Sequence, residues 1–552
     1  MNLEMLLKEY AIDPRCFKIV DRITASQPRH FQLTGLHGSA APFVVSAVFG
    51  HPATAQLNHL IILRDAEEAA YFHNTLENLT QALDIFYFPS SFKNKKNYRL
   101  LNSSHVMLRT EALTKIAGGT NKKVIITHPE ALFEKVVLPK TLSANIISLK
   151  QGDTIDTNTI FEKFIGYGFQ RTDFVYEPGQ FAVRGGILDI YSFGNEKPYR
   201  VELFGNEVDS IRIFDPETQL SERKLLQVSI IPNVETQFER GEKVSLLEFL
   251  PENAVVWTED WSFIKEKIEE EMLFVSRFSF NESKEPDNSE TDLHVKEFNE
   301  NDFVSEILLE DQLRQRHIIE LGNKSYFSNE KQETINGKQE TRNKIVFNTK
   351  EQPAFNRQFD LLIKNLKEYE AKKYNIYLFA ENPKQLERLH VIFTDLKAEV
   401  NVIPVPTSIH EGFIDDDLRT VCYTDHQIFQ RYHKYKVKQA FSKNKALTLQ
   451  MLRELEPGDY VTHIDHGVGV YSGLQKIEAN GKMQEAVRIQ YKDGDLLYVN
   501  ISSLHKISKY SGKEGTIPKM NKLGSDVWNK LKDKTKRQVK DIATDLIKLY
   551  AQ

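Results

Sequence analysis

From Leu455 to Ile507 the chain reads L-E-P-G-D-Y-V-T-H-I-D-H-G-V-G-V-Y-S-G-L, then E-A-V-R-I-Q-Y, then D-G ahead of D-L-L-Y-V-N-I-S-S-L. Apolar and polar residues alternate in short runs, and Gly and Asp cut them at regular intervals. That pattern is satisfied by short paired strands bent into a small β-barrel. A long helix should follow from Gly524 to Tyr550, where Trp528, Leu531, Thr535, Val539, Ile542, Leu546 and Leu549 recur at three- and four-residue steps. Its other surface carries Lys530, Lys532, Lys534, Lys536, Arg537 and Lys540. At 1.5 Å per residue this helix would span roughly 40 Å, enough to join two distant domains. The combination reads as a docking module attached to a further domain beyond Gln552.

The 552 residues exceed what one core serves, so three to five domains are expected. A hydrophobic share of 40% and a charged share of 27% describe ordinary globular protein. Only two cysteines, Cys16 and Cys422, occur, with no metal or disulfide spacing, which suits a reducing cytoplasm. The opening M-N-L-E-M-L-L-K-E-Y is too polar for a signal peptide, and no apolar run reaches membrane-spanning length. A net charge of −5 argues against wholesale coating of nucleic acid, though not against a local basic patch.

Along the chain the grammar changes several times. Residues 1–145 alternate buried strands such as H-L-I-I-L-R from His59 with helices such as A-E-E-A-A-Y-F-H-N-T-L from Ala66, predicting a parallel sheet with flanking helices. Residues 146–234 switch to period two in F-A-V-R-G-G-I-L-D-I-Y, Y-R-V-E-L-F and E-V-D-S-I-R-I-F, predicting an inserted α+β domain. Helix–strand alternation returns over 235–350, broken by polar loops within 281–344, and a further small α/β domain is expected over 351–440. Residues 441–453 read as a linker, 454–515 as the barrel and 516–552 as the closing helix.

The segment F-Q-L-T-G-L-H-G-S-A-A-P-F-V, from Phe31, has the strand, Gly-rich turn and helix-compatible context of a phosphate-binding loop. Counting from Gly35 past Gly38, the second glycine falls on Ala40, the lysine on Ala41 and the hydroxyl residue on Pro42. Alanine cannot neutralise β- and γ-phosphates, and proline can neither hold Mg²⁺ nor offer an N–H. A structural strand–turn–helix without nucleotide is therefore expected, with a weak or altered nucleotide site as the alternative.

Together these blocks resemble the bacterial transcription-repair coupling factor family (Mfd), in its N-terminal portion, where a UvrB-like module with its ATPase stripped away precedes a CarD-like RNA polymerase-interacting domain. The resemblance rests on L-T-G-L-H-G-S, on P-G-Q-F-A-V-R-G-G-I-L-D-I-Y and P-Y-R-V-E-L-F-G-N-E-V-D-S-I-R-I-F-D, on P-G-D-Y-V-T-H-I-D-H-G-V-G-V-Y-S-G-L through L-L-Y-V-N-I-S-S-L-H-K-I-S-K-Y, and on K-L-G-S-D-V-W-N-K-L-K-D-K-T-K-R-Q-V-K-D-I-A. It implies an α/β multidomain fold: a degenerate RecA-like/UvrB-like domain with the inserted α+β domain, a further α/β domain, a small SH3/Tudor-like β-barrel and a helix leading to a translocase motor. No helicase motif is present, so no catalytic residue and no cofactor is expected of this chain. The full-length relative would be an ATP-dependent DNA translocase. The long aromatic hairpin with which the UvrB family threads DNA is also missing after Phe88-Pro89; S-S-F-K-N-K-K-N-Y-R reads as a short basic loop, its Lys93, Lys95 and Lys96 either solvated or touching DNA.

The resemblance assigns UvrA docking to Arg184, Arg200 and Phe204, with Arg171 a weaker candidate, and RNA polymerase β-subunit docking to the strand of Val487, Ile489 and Tyr491. Arg200, Glu202 and Phe204 are two apart on one strand and project from one face. Two guanidiniums beside an aromatic ring suit a protein-binding hot spot. The competing reading buries Phe204 and pairs Arg184 with Asp189. Ile489 is likewise either an anchor on an edge strand or a core residue. His463, Asp465 and His466 read as a polar turn rather than a metal site, and Asp415 to Asp417 as an acidic loop. The function expected is a non-catalytic adaptor; a UvrB-like nucleotide-dependent enzyme and a CarD-like transcription regulator are the alternatives.

Overall fold

The computed structural model describes residues 2–80, 84–94, 97–119, 122–216, 219–235, 243–282, 298–328, 343–431, 455, 457–479, 482–500, 506–510, 518, 520–523 and 528. Two compact units emerge, one from residues 1–147 and 231–439, the other from 148–230 and 440–552. The expected linker 441–453 lies outside the described residues, as do Lys95, Lys96 and all of the expected closing helix 516–552 apart from 518, 520–523 and Trp528. Among the described residues no helix is long and apolar enough to cross a membrane.

In the first unit, His59–Ile62, Ile85–Phe88, Val124–Thr127 and Ile318–Leu321 are buried at every position, the signature of strands covered on both faces. They join a seven-stranded sheet in the order Lys344–Val346, His30–Thr34, Ile318–Leu321, Val255–Glu259, His59–Ile62, Val124–Thr127, Ile85–Phe88. All of its pairings are parallel. The helix Ala40–Gly50, apolar nearly all round, is buried against it.

A second, five-stranded sheet runs Thr349–Glu351, Phe413–Asp415, Thr420–Thr424, Asn375–Phe379, Ile403–Val405. Strand parity splits it between two cores. Tyr377, Phe379, Phe413 and Cys422 join the large core containing Tyr10, Phe43 and Val44. Ile376, Leu378, Val421 and Tyr423 face a smaller core with Leu362 and Leu366 from the helix Phe359–Ala371 and Leu389 and Phe393 from Pro383–Asp395. Asp415 does not sit in the expected acidic loop. It ends a strand, is fully buried, and accepts from the Tyr10 hydroxyl at 3.1 Å and from Arg15 Nη2 at 3.3 Å; burial pushes its carboxyl up.

The segment after Phe88-Pro89 is also more ordered than a loop. Phe92–Asn94 and Asn97–Leu101 form a short antiparallel hairpin. Phe92 and Tyr98 are buried among Phe133 and Phe303, and the Tyr98 hydroxyl reaches Glu271 at 2.5 Å, so apolar anchoring folds the hairpin back onto the unit. Lys93 is exposed. Nearby, the fully buried Arg109 lies over the Phe88 ring, donates through Nε to Glu235 at 2.8 Å and pairs through Nη2 with Glu134 at 3.2 Å. That triad ties the residues following the inserted segment to the parallel sheet.

The inserted segment is a six-stranded sheet ordered Ser221–Leu225, Glu207–Phe214, Tyr199–Phe204, Ile187–Ile190, Gln180–Arg184, Gln170–Arg171, antiparallel except for the last pair. One face carries Phe181, Ile190, Tyr199 and Ile213 in register, and beside them Val183, Leu188, Val201 and Ile211. Phe161 and Phe164 of the helix Thr157–Gly166, N-capped by Asp156, pack on Phe181. The polar residues of the same strands are thereby turned to the opposite face.

Candidate functional site

The Gly-rich turn is strand–turn–helix as its residues require, with Gly35 at φ +74° and Gly38 at φ +53°, conformations that favour glycine. Its cradle is filled by the chain itself. A Cβ on Gly35 would stand 2.0 Å from the Phe347 carbonyl oxygen, and one on Gly38 would stand 2.7 Å from that of Gly412. The N–H of His37 donates to Thr349 Oγ1 at 2.8 Å and that of Ser39 to the Glu411 carbonyl at 3.1 Å, while Glu411 N–H donates to Ser39 Oγ at 2.9 Å. Donors that would cradle phosphate oxygens are spent on protein acceptors, and an anion would meet carbonyl oxygens. Ala40 and Pro42 are buried in the first turn of the helix, with Ala41 half-buried between them.

On the inserted sheet the polar face is built around one carboxylate. Asp189, fully buried, accepts from Arg200 Nε at 2.7 Å and Nη2 at 2.9 Å, and from Arg184 Nη2 at 2.5 Å. Arg200 Nη1 donates to the Gln219 carbonyl at 3.0 Å and its guanidinium lies 4.4 Å above the Phe214 ring; Arg184 lies 4.4 Å above Phe174. Both planar groups are therefore fixed by a charge below and a ring beside them. Phe204 extends the same row as Arg200 and Glu202 and is 83% exposed. Arg184 does pair with Asp189, as the competing reading had it, yet Phe204 is not core. Arg171 is separated from the other three. It pairs in register with Phe181, on the buried-face side of the sheet, and stands exposed at the sheet's edge.

Sequence reasoning missed Arg212. It is directly opposite Arg200, which is opposite Asp189, and Lys224 is opposite Arg212 in turn. The signal was present in I-R-I-F and E-R-K-L, but register across three hairpins is needed to align them.

The C-terminal sheet is ordered Leu496–Asn500, Lys482–Gln490, Gly467–Ala479, Tyr460–His463, Ile507–Lys509. Here the edge-strand expectation fails. The Ile489 strand is flanked on both sides, with Ile489 opposite Tyr471 on one neighbour and Leu497 on the other. Val487, Ile489 and Tyr491 are fully buried with Val461, Tyr471 and Val499, because their common parity faces the core that the described residues of this small sheet share. What does project is the Gly467–Ala479/Lys482–Gln490 ribbon. Its pairs from Lys476–Glu485 to Ala479–Lys482 have no third strand among the described residues. The half-buried Ile477 lies on these pairs, and Leu474, 49% exposed, stands just before them opposite Val487. His463, Asp465 and His466 form the turn before it, with Asp465 N–H donating to His463 Nδ1 at 3.1 Å and Asp465 pairing with Lys506 at 3.1 Å. No group of three metal-ligating side chains occurs among the described residues.

Comparison with known proteins follows this division. Residues 147–235 match the UvrB interaction domain, and residues 455–511 match the CarD-like/TRCF RID domain. The transcription-repair-coupling factor of Bacillus subtilis (strain 168) is 24% identical over 577 residues, covering 94% of this chain and 48% of the relative. Those of Staphylococcus aureus strains USA300 and Mu50 are 27% identical over 572 residues and 26% identical over 575, with the same coverage. The chain thus spans about half the length of the curated relatives it matches. With its UvrB interaction domain followed by a CarD-like/TRCF RID domain, the chain is similar along nearly all its length to the N-terminal portion of bacterial transcription-repair coupling factors.

Proposed function

We propose that this chain is a non-catalytic adaptor that holds the RNA polymerase β subunit through its C-terminal domain and recruits the excision-repair protein UvrA through its inserted domain. The observation that carries the reading is Phe204, an 83% exposed ring on the same strand face as Arg200, whose guanidinium Asp189 orients together with that of Arg184. An immobilised charged fork beside an exposed ring loses little entropy on binding, and burying the ring contributes about 1.5–3 kcal/mol. The C-terminal sheet is read as an SH3/Tudor-like barrel whose projecting ribbon, through Leu474 and Ile477, adds to a sheet of the polymerase. Ile489 supports that ribbon from below rather than touching the partner. In the intact relative both grips would serve an ATP-driven DNA translocase supplied by the other half of the protein.

Binding of the purified chain to UvrA and to the polymerase β subunit tests both halves separately. Phe204→Ala or Arg184→Ala should weaken UvrA binding at least about tenfold while leaving polymerase binding unchanged. Leu474→Arg with Ile477→Arg should do the reverse. Undiminished UvrA binding by the Phe204 and Arg184 variants would refute the first assignment, and undiminished polymerase binding by the ribbon variant the second.

A further inference from the structure

The polar face of the inserted sheet is wider than the three residues assigned to it. In register across four strands stand Asp189, Arg200, Arg212 and Lys224, and in the neighbouring row Arg184, Ile187, Glu202 and Ser210. Residues directly opposite on antiparallel strands share a face, so these rows form one surface. These two rows hold four cations against two carboxylates, and the row beyond them sets Phe204 opposite Glu207, in a chain whose overall charge is −5.

The cations are not equally committed. Arg200 uses Nε, Nη1 and Nη2 on Asp189 and Gln219, and its side chain is only 13% exposed. Arg212 is 31% exposed and pairs with Glu202 through Nη2 at 3.2 Å, while its Nε–H is buried with no acceptor among the described residues. A guanidinium has five N–H donors; the buried Nε–H cannot reach a partner, so it is the Nη hydrogens not used on Glu202 that Arg212 can offer to a further carboxylate. Lys224 lies exposed on the outermost strand of this sheet.

Resting on the docking assignment above, we infer that Arg212 and Lys224 extend the docking face to the sheet edge, and that the partner surface seated there is acidic. Neighbouring strands stand about 4.8 Å apart, so Arg212 and Lys224, beside the committed Arg200, present charge about 5 Å from each other. That is the separation of carboxylates three or four residues apart on a helix, which makes an acidic helical face the fitting occupant. Phe204 fills a pocket at one end; the cations set the partner's orientation and speed its arrival.

Full-chain variants titrated against UvrA test this. Arg212→Gln should weaken binding about tenfold and Lys224→Glu about fivefold, with the double variant losing much of the salt dependence between 50 and 200 mM NaCl. Lys224 is exposed, so its variant remains informative if Arg212→Gln perturbs the sheet. Wild-type affinity and salt dependence in Lys224→Glu and the double variant, with binding still lost in Phe204→Ala, would overturn the extension alone. If Phe204→Ala and Arg184→Ala also bind normally, the docking assignment itself falls.

Discussion

Trp257 Nε1–H donates to His59 Nδ1 at 3.0 Å inside the parallel sheet, so the His59 ring must be neutral with its proton on Nε2. Burial, and after it the charge of Lys122, depress its pKa to about 3. In the unfolded chain the same imidazole takes a proton below about pH 6.5. The stability it contributes is therefore present above pH 6.5 and is lost as pH falls toward 3. Between pH 7 and 5 the first unit should lose about 2 kcal/mol from this residue. Urea unfolding followed by tryptophan fluorescence checks this: the wild type should lose that much more than His59→Gln, and equal losses would contradict it. Little of this was legible in H-L-I-I-L-R beyond a buried strand. The partner of His59 lies 198 residues away, as Glu235 lies 126 from Arg109. Asp189 shows the intermediate case, since its pairing with Arg184 was one of two readings while its simultaneous hold on Arg200 depends on register.

At the scale of elements, period-two alternation identified the right strands but could not say which of their neighbours flank them. Y-R-V-E-L-F keeps Arg200, Glu202 and Phe204 on one face, as parity demands. For E-A-V-R-I-Q-Y the same parity fixes a buried side, and only the strand order places it centrally. The hairpin of Phe92–Asn94 and Asn97–Leu101 escaped notice because three- to five-residue strands leave too few alternations to read. Ile489→Ala should accordingly act through packing, costing about 2–5 kcal/mol. Thermal unfolding should show a lowered transition for the C-terminal domain, whereas Leu474→Arg should leave it in place. An unchanged transition in Ile489→Ala would return that residue to the surface.

Across the whole molecule, the succession of a parallel sheet with helices, an antiparallel sheet and a C-terminal β-sheet was legible because each has its own periodicity. What was not legible is that the second sheet shares a core with the first, for Tyr377 and Phe379 look no different from Ile376 and Leu378 until the helices between the sheets are placed. The same intimacy governs the Gly35 turn. Restoring its chemistry with Ala40→Gly, Ala41→Lys and Pro42→Thr should produce no measurable Mg²⁺-ATP binding by calorimetry, because Phe347 and Gly412 still present carbonyl oxygens where phosphate would lie. Saturable binding by that variant would mean those segments yield. If they hold, the turn works as a ratchet. Two stretches more than 300 positions downstream would have to retreat together before any lysine could be useful, so no sequence of single advantageous changes leads back to an ATPase.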